Sequence, residues 1–366
     1  MSPVRNKLLI LTQKIDINDD LLGFFHGWVA KLAEDFESII VVALGVGSQG
    51  EYNLSDNVRV LSLGKDKLKI ENCRLKIVKK FIYLINFYRY LWRERKNYDT
   101  VFVHMNQEYV ILGGLLWRFL GKKIALWRNH PSGGFLAKIA VFFSDVVFCT
   151  SYFAYVARYK KTKIMPVGVD VNFFKPDLTI EKIPSSILFF GRTSPIKKVD
   201  IFIKALSILK EKNINFSAKI IGNAPERDKK YLENMKQAVK DSSLIDIVEF
   251  KKGVPSWQAP EIFNQYEIFI NLTPSGSLDK MIFEAMACGS LILVSNKNLE
   301  AILPEELVKL LMFKENDAAD LANKIFGLIN LSSEKIVVIK QQLREIVIGS
   351  QSLKILMSKL TEQLTG

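Results

Sequence analysis

The chain has 366 residues, 49% of them hydrophobic, and a formal net charge of +13. Its length gives a prior of roughly two domains, and its apolar content excludes an intrinsically disordered chain. The positive excess calls for an anionic partner: a nucleotide, a membrane surface or a nucleic acid.

Short β-branched and aromatic runs recur between helix-like segments. In the first half KLLILT (7–12), IIVVAL (39–44), VRVLSL (58–63), TVFVHM (100–105), KIALWR (123–128) and VVFCTS (146–151) predict strands. In the second half SILFFG (186–191), AKIIG (218–222), IVEFKK (247–252), IFINLT (268–273) and LILVSN (291–296) predict strands likewise. Near-continuous apolar strands alternating with helices predict two parallel-sheet α/β domains. The stretch 165–186 is rich in Pro and Gly, has no helical period and predicts the domain boundary.

The N-terminal apolar run is too short for a signal peptide, and no segment reaches the roughly 18 uninterrupted apolar residues of a spanning helix. The nearest, 135–157, is broken by Lys138 and Asp145 and is expected to be a buried helix followed by a strand. Cys73, Cys149 and Cys288 form no CxxC pair, and the three histidines show no metal-ligand spacing. Neither a disulfide framework nor a zinc site is expected, and a reducing cytoplasm fits.

Charge is unevenly divided: residues 1–176 carry +11 and residues 177–366 only +2. Segment 65–96 alone carries +8, with aromatic and aliphatic residues between its cations. Such a stretch either lies on an anionic bilayer or is the solvated basic face of an ordinary helix. Nucleic acid is not expected, because no binding motif accompanies the patch.

In open α/β sheets ligands bind beyond the carboxyl ends of the strands, so the residues following each strand carry the functional reading. After SILFFG, Arg192 and Lys197 flank a Pro-containing turn before a helix, which suits a diphosphate as well as it suits two surface cations. Gly222 permits a tight turn or a close backbone approach. After IFINLT, the loop of Ser275, Gly276 and Ser277 is small enough for backbone amides to reach a phosphate. Asp279 is placed to cap the next helix, and Gly289 to end it. Glu284, on an otherwise apolar helix, needs donors: two ribose hydroxyls, or a salt bridge to a nearby Lys or Arg. After KIALWR, His130 sits before a small-residue loop, NHPSGG.

Together FFGRTSPIKKVD (189–200), AKIIGNAP (218–225), VEFKKGVPSWQAPEIFNQYEIFINLTPSG (248–276) and FEAMACGSLILVSN (283–296) resemble the retaining glycosyltransferases of the GT-B fold, family 4. MPVGVDVNFFKP (165–176) is similar to that family's interdomain linker. The first half resembles it mainly in architecture and at His130.

The resemblance implies two Rossmann-like parallel-sheet domains facing a central cleft. It implies an acceptor-side domain over 1–168, a nucleotide-sugar domain over 169–345, and a C-terminal helix over 346–366 that packs back on the first domain. It implies a UDP- or GDP-linked sugar donor as substrate, no cofactor and no metal. His130, Arg192 and Lys197 would be the catalytic set. Gly191, Gly222, Val254, Ser275, Gly276, Ser277, Leu278, Asp279, Lys280, Glu284 and Glu300 would line the donor site, with Glu284 as the second acid of the family's EX7E motif. Gly276 stands where the first acid of that motif is expected, and Asp279 or Lys280 would substitute for it. On the acceptor side Asp16 and Gly23 are the candidates, with Asp19 and Asp20 beside them.

The reaction so implied moves a sugar from a nucleoside diphosphate to an acceptor hydroxyl with retention. The acceptor would be a lipid-linked or envelope glycan at the inner face of the cell membrane. A nicotinamide oxidoreductase is disfavoured because no strand is followed by GxGxxG. An epimerase or phosphorylase of the same fold stays open, and so does a non-catalytic nucleotide-sugar- or membrane-binding subunit.

Overall fold

The structure, a computed structural model, describes residues 6–17, 19, 22–47, 54–65 and 73–366. It divides into two compact units: one up to Met165 joined by Leu356–Gly366, the other Pro166–Ile355.

The first unit runs β1 (Lys7–Ile15), α1 (Gly23–Leu32), β2 (Ser38–Val46), β3 (Val58–Ser62), α2 (Cys73–Arg93), β4 (Thr100–His104), α3 (Gln107–Phe119), β5 (Lys123–Trp127), α4 (Phe135–Phe143), β6 (Val146–Cys149) and β7 (Thr162–Ile164). All strands pair in parallel in the order β3-β2-β1-β4-β5-β6-β7. β4 is buried along its whole length, as a strand covered on both faces must be, and its run is accordingly apolar rather than alternating.

The second unit runs β8 (Ile183–Phe190), α5 (Val199–Glu211), β9 (Ser217–Ile221), α6 (Lys229–Asp241), β10 (Val248–Lys251), α7 (Ala259–Gln265), β11 (Tyr266–Asn271), α8 (Lys280–Ala287), β12 (Leu291–Val294), α9 (Glu305–Leu311), α10 (Ala318–Ile329) and α11 (Ser333–Ile346). Its parallel sheet has the order β10-β9-β8-β11-β12. In each sheet the connection after the third strand jumps back past the first. The result is a switch point between β1 and β4 in one unit and between β8 and β11 in the other.

The chain therefore has the expected fold class, two Rossmann-like parallel-sheet domains of the GT-B type. The eleven predicted strands all form, and β7 was not anticipated. Residues 346–366 are not one helix: a π-helical turn at Val347–Gln351 separates α11 from α12 (Leu353–Thr365). The end of α12 is fastened into the first unit, where Thr100 Oγ1 donates to Leu364 O at 3.0 Å and Lys123 Nζ to Gln363 O at 2.6 Å.

One expectation needs correction. The 135–157 stretch does supply a helix and then a strand, but α4 is not buried. Only Ala137, Ala140 and Val141 face inward, while Phe135, Leu136 and Phe142 are exposed. Its apolar composition says nothing about which face is covered, and a helix lying on a sheet can bury only one. No described helix is long and apolar enough to cross a membrane.

Candidate functional site

The switch point of the second sheet gathers the loops that leave β8, β9, β10 and β11. β8 is followed by Gly191, whose φ is +149°, and β9 by Gly222. A Cβ on Gly222 would lie 1.8 Å from Gly191 O, so the two strand ends touch backbone to backbone. This close approach is what the glycine allows. Thr193 N then donates to Asn223 O at 3.2 Å, and Gly253 N to Asn223 Oδ1 at 3.0 Å. Asn223 thereby ties the loop after β10, which carries Val254, to the other two.

Lys197 closes the rim across the switch point. It ends a short 3₁₀ turn opened by Pro195, and Lys198 in the left-handed region, at φ +53°, starts α5. The Lys197 ammonium is paired with the Asp279 carboxylate and donates to Thr273 Oγ1 at 2.8 Å. Asp279 Oδ2 also accepts from Asn271 Nδ2 at 3.0 Å and from Thr273 Oγ1 at 2.9 Å, while Oδ1 caps α8 by accepting from Met281 N at 3.2 Å. Burial alone would raise the pKa of this carboxyl. Lys197 and the hydrogen bonds outweigh burial and hold it well below the usual carboxylate range. Asp279 is the predicted helix cap, and both its oxygens are engaged within the protein.

The small-residue loop Ser275–Leu278 is fastened from the far side by two asparagines after β12. Asn296 Nδ2 donates to Ser277 O at 2.7 Å and to Thr273 O at 3.2 Å, and Asn298 Nδ2 to Ser275 O at 2.7 Å. Ser275 Oγ accepts from Lys297 N at 2.9 Å. The loop's carbonyls thus point back into the protein. Among the described residues, no hydrogen bond is made by the amides of Gly276, Leu278 and Asp279. These amides precede α8, whose N-terminus adds its partial positive charge.

Glu284 lies one turn into α8. Its nearest cation is Lys280, with Nζ 3.7 Å from Oε1. Burial raises the Glu284 pKa and lowers that of Lys280, and each charge partly offsets the other's loss of water. At 3.7 Å the pair is longer than a hydrogen bond, so the carboxylate retains room to accept from hydroxyl donors. The salt bridge that the sequence offered for Glu284 is therefore present, with Lys280 as its partner. Arg192 and Glu300 are exposed, and neither side chain makes a hydrogen bond or ion pair among the described residues.

The remaining predicted residues belong to the first unit. His130 is exposed, with Nδ1 2.9 Å from Ser132 O and 3.0 Å from Ser132 N. Its loop is held by Arg128, which donates to Ser132 O at 2.8 Å and to Gln107 Oε1 at 2.8 Å. Asp16 pairs with Lys14 at 2.9 Å, and Asp19 pairs with the same ammonium at 2.9 Å, which raises the Lys14 pKa. Gly23 is needed because a Cβ there would meet Ile17 O at 2.8 Å. Asp20 and residues 66–72 of the basic segment lie outside the described residues.

His104 and His26 are core histidines. His104 stacks on Phe25 at 3.9 Å, and burial pushes its pKa down to about 3. Among the described residues no three His, Cys, Asp or Glu side chains cluster as metal ligands.

Sequence reasoning missed Asn223, Asn296, Asn298 and Arg128. Each is a polar residue in a strand-to-helix connection that holds neighbouring loops rather than facing outward. The only signal available was their position just after a predicted strand.

Residues 184–330 match the model of the family described as glycosyl transferases group 1. A D-inositol 3-phosphate glycosyltransferase of Paenarthrobacter aurescens is 26% identical over 153 residues, 39% of this chain and 36% of that protein. A putative colanic acid biosynthesis glycosyltransferase of Escherichia coli, WcaL, is 24% identical over 197 residues, 51% of this chain and 46% of that one. The alignments span less than half the length of either curated relative. The Anabaena protein HepE, in complex with UDP and glucose, superposes with a TM-score of 0.75 over 99% of this chain and 100% of its own, at 16% identity.

Proposed function

We propose, on the premise that residues 184–330 form a glycosyl transferases group 1 domain in a chain of GT-B fold, that the protein transfers a sugar from a nucleoside-diphosphate donor to an acceptor hydroxyl. The donor sits at the β8/β11 switch point. The observation that carries this reading is the loop before α8: its amides at Gly276, Leu278 and Asp279 are unengaged, and it ends at the carboxylate that anchors the Lys197 ammonium. Such an array suits a leaving diphosphate, and HepE was crystallised with UDP.

Lys197 has three N–H donors. Two go to Asp279 and Thr273, and the third remains for a phosphate oxygen. Arg192, exposed on the same loop, supplies a planar fork for a second one. Asp279 acts as a positioning residue: it fixes Lys197 before the donor arrives, so the cation need not reorganise as charge develops on the leaving group. Glu284 accepts from the ribose hydroxyls, Val254 and its loop contact the base, and Glu300 lies toward the donor sugar. With Gly276 in place of the first EX7E acid, the loop amides are the sugar's contacts there. The other candidates, His130, Asp16 and Gly23, belong to the first unit. Stabilisation of the leaving group needs no metal in this scheme, and retention follows from front-face attack. The acceptor is a lipid-linked or envelope glycan precursor.

A screen of UDP-, GDP-, ADP- and CMP-sugars by thermal shift and nucleotide release tests the reading. Donor-dependent stabilisation and release, both lost in Arg192→Ala and Glu284→Ala, would support it. Stabilisation without turnover, even with lipid-linked acceptors present, would leave a binding subunit. No response to any nucleotide sugar would remove the donor site altogether.

A further inference from the structure

The helices α2, α3 and α4 follow β3, β4 and β5, and all three crossovers progress in the same direction along the first sheet. Right-handed connections then place them on one face of it. Their contacts agree. Phe87 of α2 stacks on Tyr109 of α3 at 5.7 Å, Tyr88 OH donates to Leu112 O at 2.9 Å, and Gly114 of α3 packs against the Phe143 ring of α4.

The outer side of this three-helix layer is apolar. On α2, Ile77, Phe81, Ile85, Tyr88 and Trp92 recur at helical spacing, and all are exposed, while Phe87 and Leu91 face the core. On α3, Leu115 is 72% exposed and Phe119 83%; on α4, Phe135 is 75% exposed and Phe142 74%. A single exposed leucine needs no explanation, but stripes on three adjacent helices form a patch that does.

The charge around the patch selects its occupant. α2 contains six cations and no acid. Lys80, Arg89, Arg93 and Lys96 are exposed beside its stripe, and Lys138 lies beside that of α4, while Arg118 of α3 is paired with Asp145 at 2.8 Å. Arg95 lies over the Trp92 ring at 4.4 Å, which leaves an aromatic body and a cation at one level. Aromatic rings and cations around an aliphatic centre match the interface of an anionic bilayer. A partner protein with an apolar face would not require the one-sided charge.

We propose that the α2–α3–α4 face docks in the plane of an anionic lipid bilayer, with the α3 and α4 aromatics entering the headgroup–acyl boundary and the α2 cations meeting lipid phosphates. This enlarges the described part of the basic stretch, 73–96, into a three-helix platform. It does not depend on the transferase reading, since it concerns the opposite kind of surface and is read by binding alone.

The test is flotation of the full chain with vesicles of phosphatidylcholine containing phosphatidylglycerol, against phosphatidylcholine alone. Binding to the anionic vesicles is expected, weakened by salt. The pair Phe119→Glu and Phe135→Glu, both at exposed positions, should abolish it with the melting temperature unchanged. The pair Lys80→Ser and Arg89→Ser should weaken it about 25-fold, since each cation near such a surface contributes about fivefold. No binding to anionic vesicles, or binding indifferent to Phe119 and Phe135, would overturn the proposal. So would sedimentation showing that the Phe pair dissolves a dimer instead, which would assign the face to a second copy of the chain.

Discussion

The sharpest consequence of the switch-point geometry concerns Asp279→Asn. The Asp279 and Lys197 side chains are only 13% and 16% exposed, so the pair belongs to the buried class rather than the weak surface class. Asparagine keeps the shape and caps a helix as well as aspartate, so the substitution removes the charge and little else. It leaves the Lys197 ammonium largely out of water with no counter-charge, a change that costs about 3–5 kcal/mol. In a unit of this size about 1 kcal/mol moves the midpoint by roughly 2–4 °C, so a drop of about 6–20 °C is expected in a thermal melt at pH 7. Lys197→Met should also destabilise, and the double variant should recover at least about 2 kcal/mol of the summed losses, because two contacting partners do not add. The pH dependence has a definite sign. A carboxyl held below its ordinary value stabilises fully above about pH 4 and loses that contribution as pH falls through its depressed folded value. The wild type and Asp279→Asn curves should therefore converge only in strong acid. A melt within about 2 °C of wild type, or a double variant that is simply additive, would refute the claim that the pair holds the site together.

Gly222→Ala should cost about 2–4 kcal/mol in urea denaturation, since its methyl would enter the Gly191 carbonyl and neither strand end can retreat alone. Asn296→Ala should lower nucleotide-sugar affinity about tenfold by calorimetry while destabilising the fold by only about 1–3 kcal/mol, because it releases the carbonyls of Thr273 and Ser277 that set the loop before α8. Burial pushes the Lys182 ammonium down to about 8. Folding therefore opposes its charge most strongly below pH 8, and the opposition fades as pH rises toward the unfolded value of about 10.5. Lys182→Met should melt higher than wild type at pH 7, and the gap should narrow by pH 10.

Most of the strands were legible as apolar runs of a kind that only a doubly covered sheet accepts, and the edge strands β3 (VRVLS) and β10 (VEFK) by their alternation of apolar and charged residues. β7, whose described sequence is Thr-Lys-Ile, has neither the length nor the run and could be found only from its pairing with β6. At the site, the glycines and the cap announced themselves through chemistry that few other residues share: Gly222 by the closeness of two backbones, Asp279 by its place before α8. The asparagines did not. Asn296 and Asn298 look like any polar pair after a strand, and their function exists only because the fold brings the carbonyls of residues 273–277 within reach.

The same limit explains α4 and Glu284. Hydrophobic periodicity reports that a helix has an apolar face, and α4 shows that it does not report whether that face is covered. For Glu284 the sequence established that a carboxylate on an apolar helix needs a partner. The structure supplies Lys280 at a distance too long for a hydrogen bond, which offsets the burial of the charge only in part and leaves the hydrogen-bonding requirement standing. An acid with a cation nearby but still short of donors is one that a ligand carrying paired hydroxyls can complete. The Lys197–Asp279 pair poses the converse case, a carboxylate with both oxygens already engaged and a cation with one donor still to place. The acid that caps α8 and the acid within it thus differ by hydrogen-bond saturation rather than by charge, which is the difference the proposed donor site asks of them: Asp279 to hold Lys197, Glu284 to accept from the ligand.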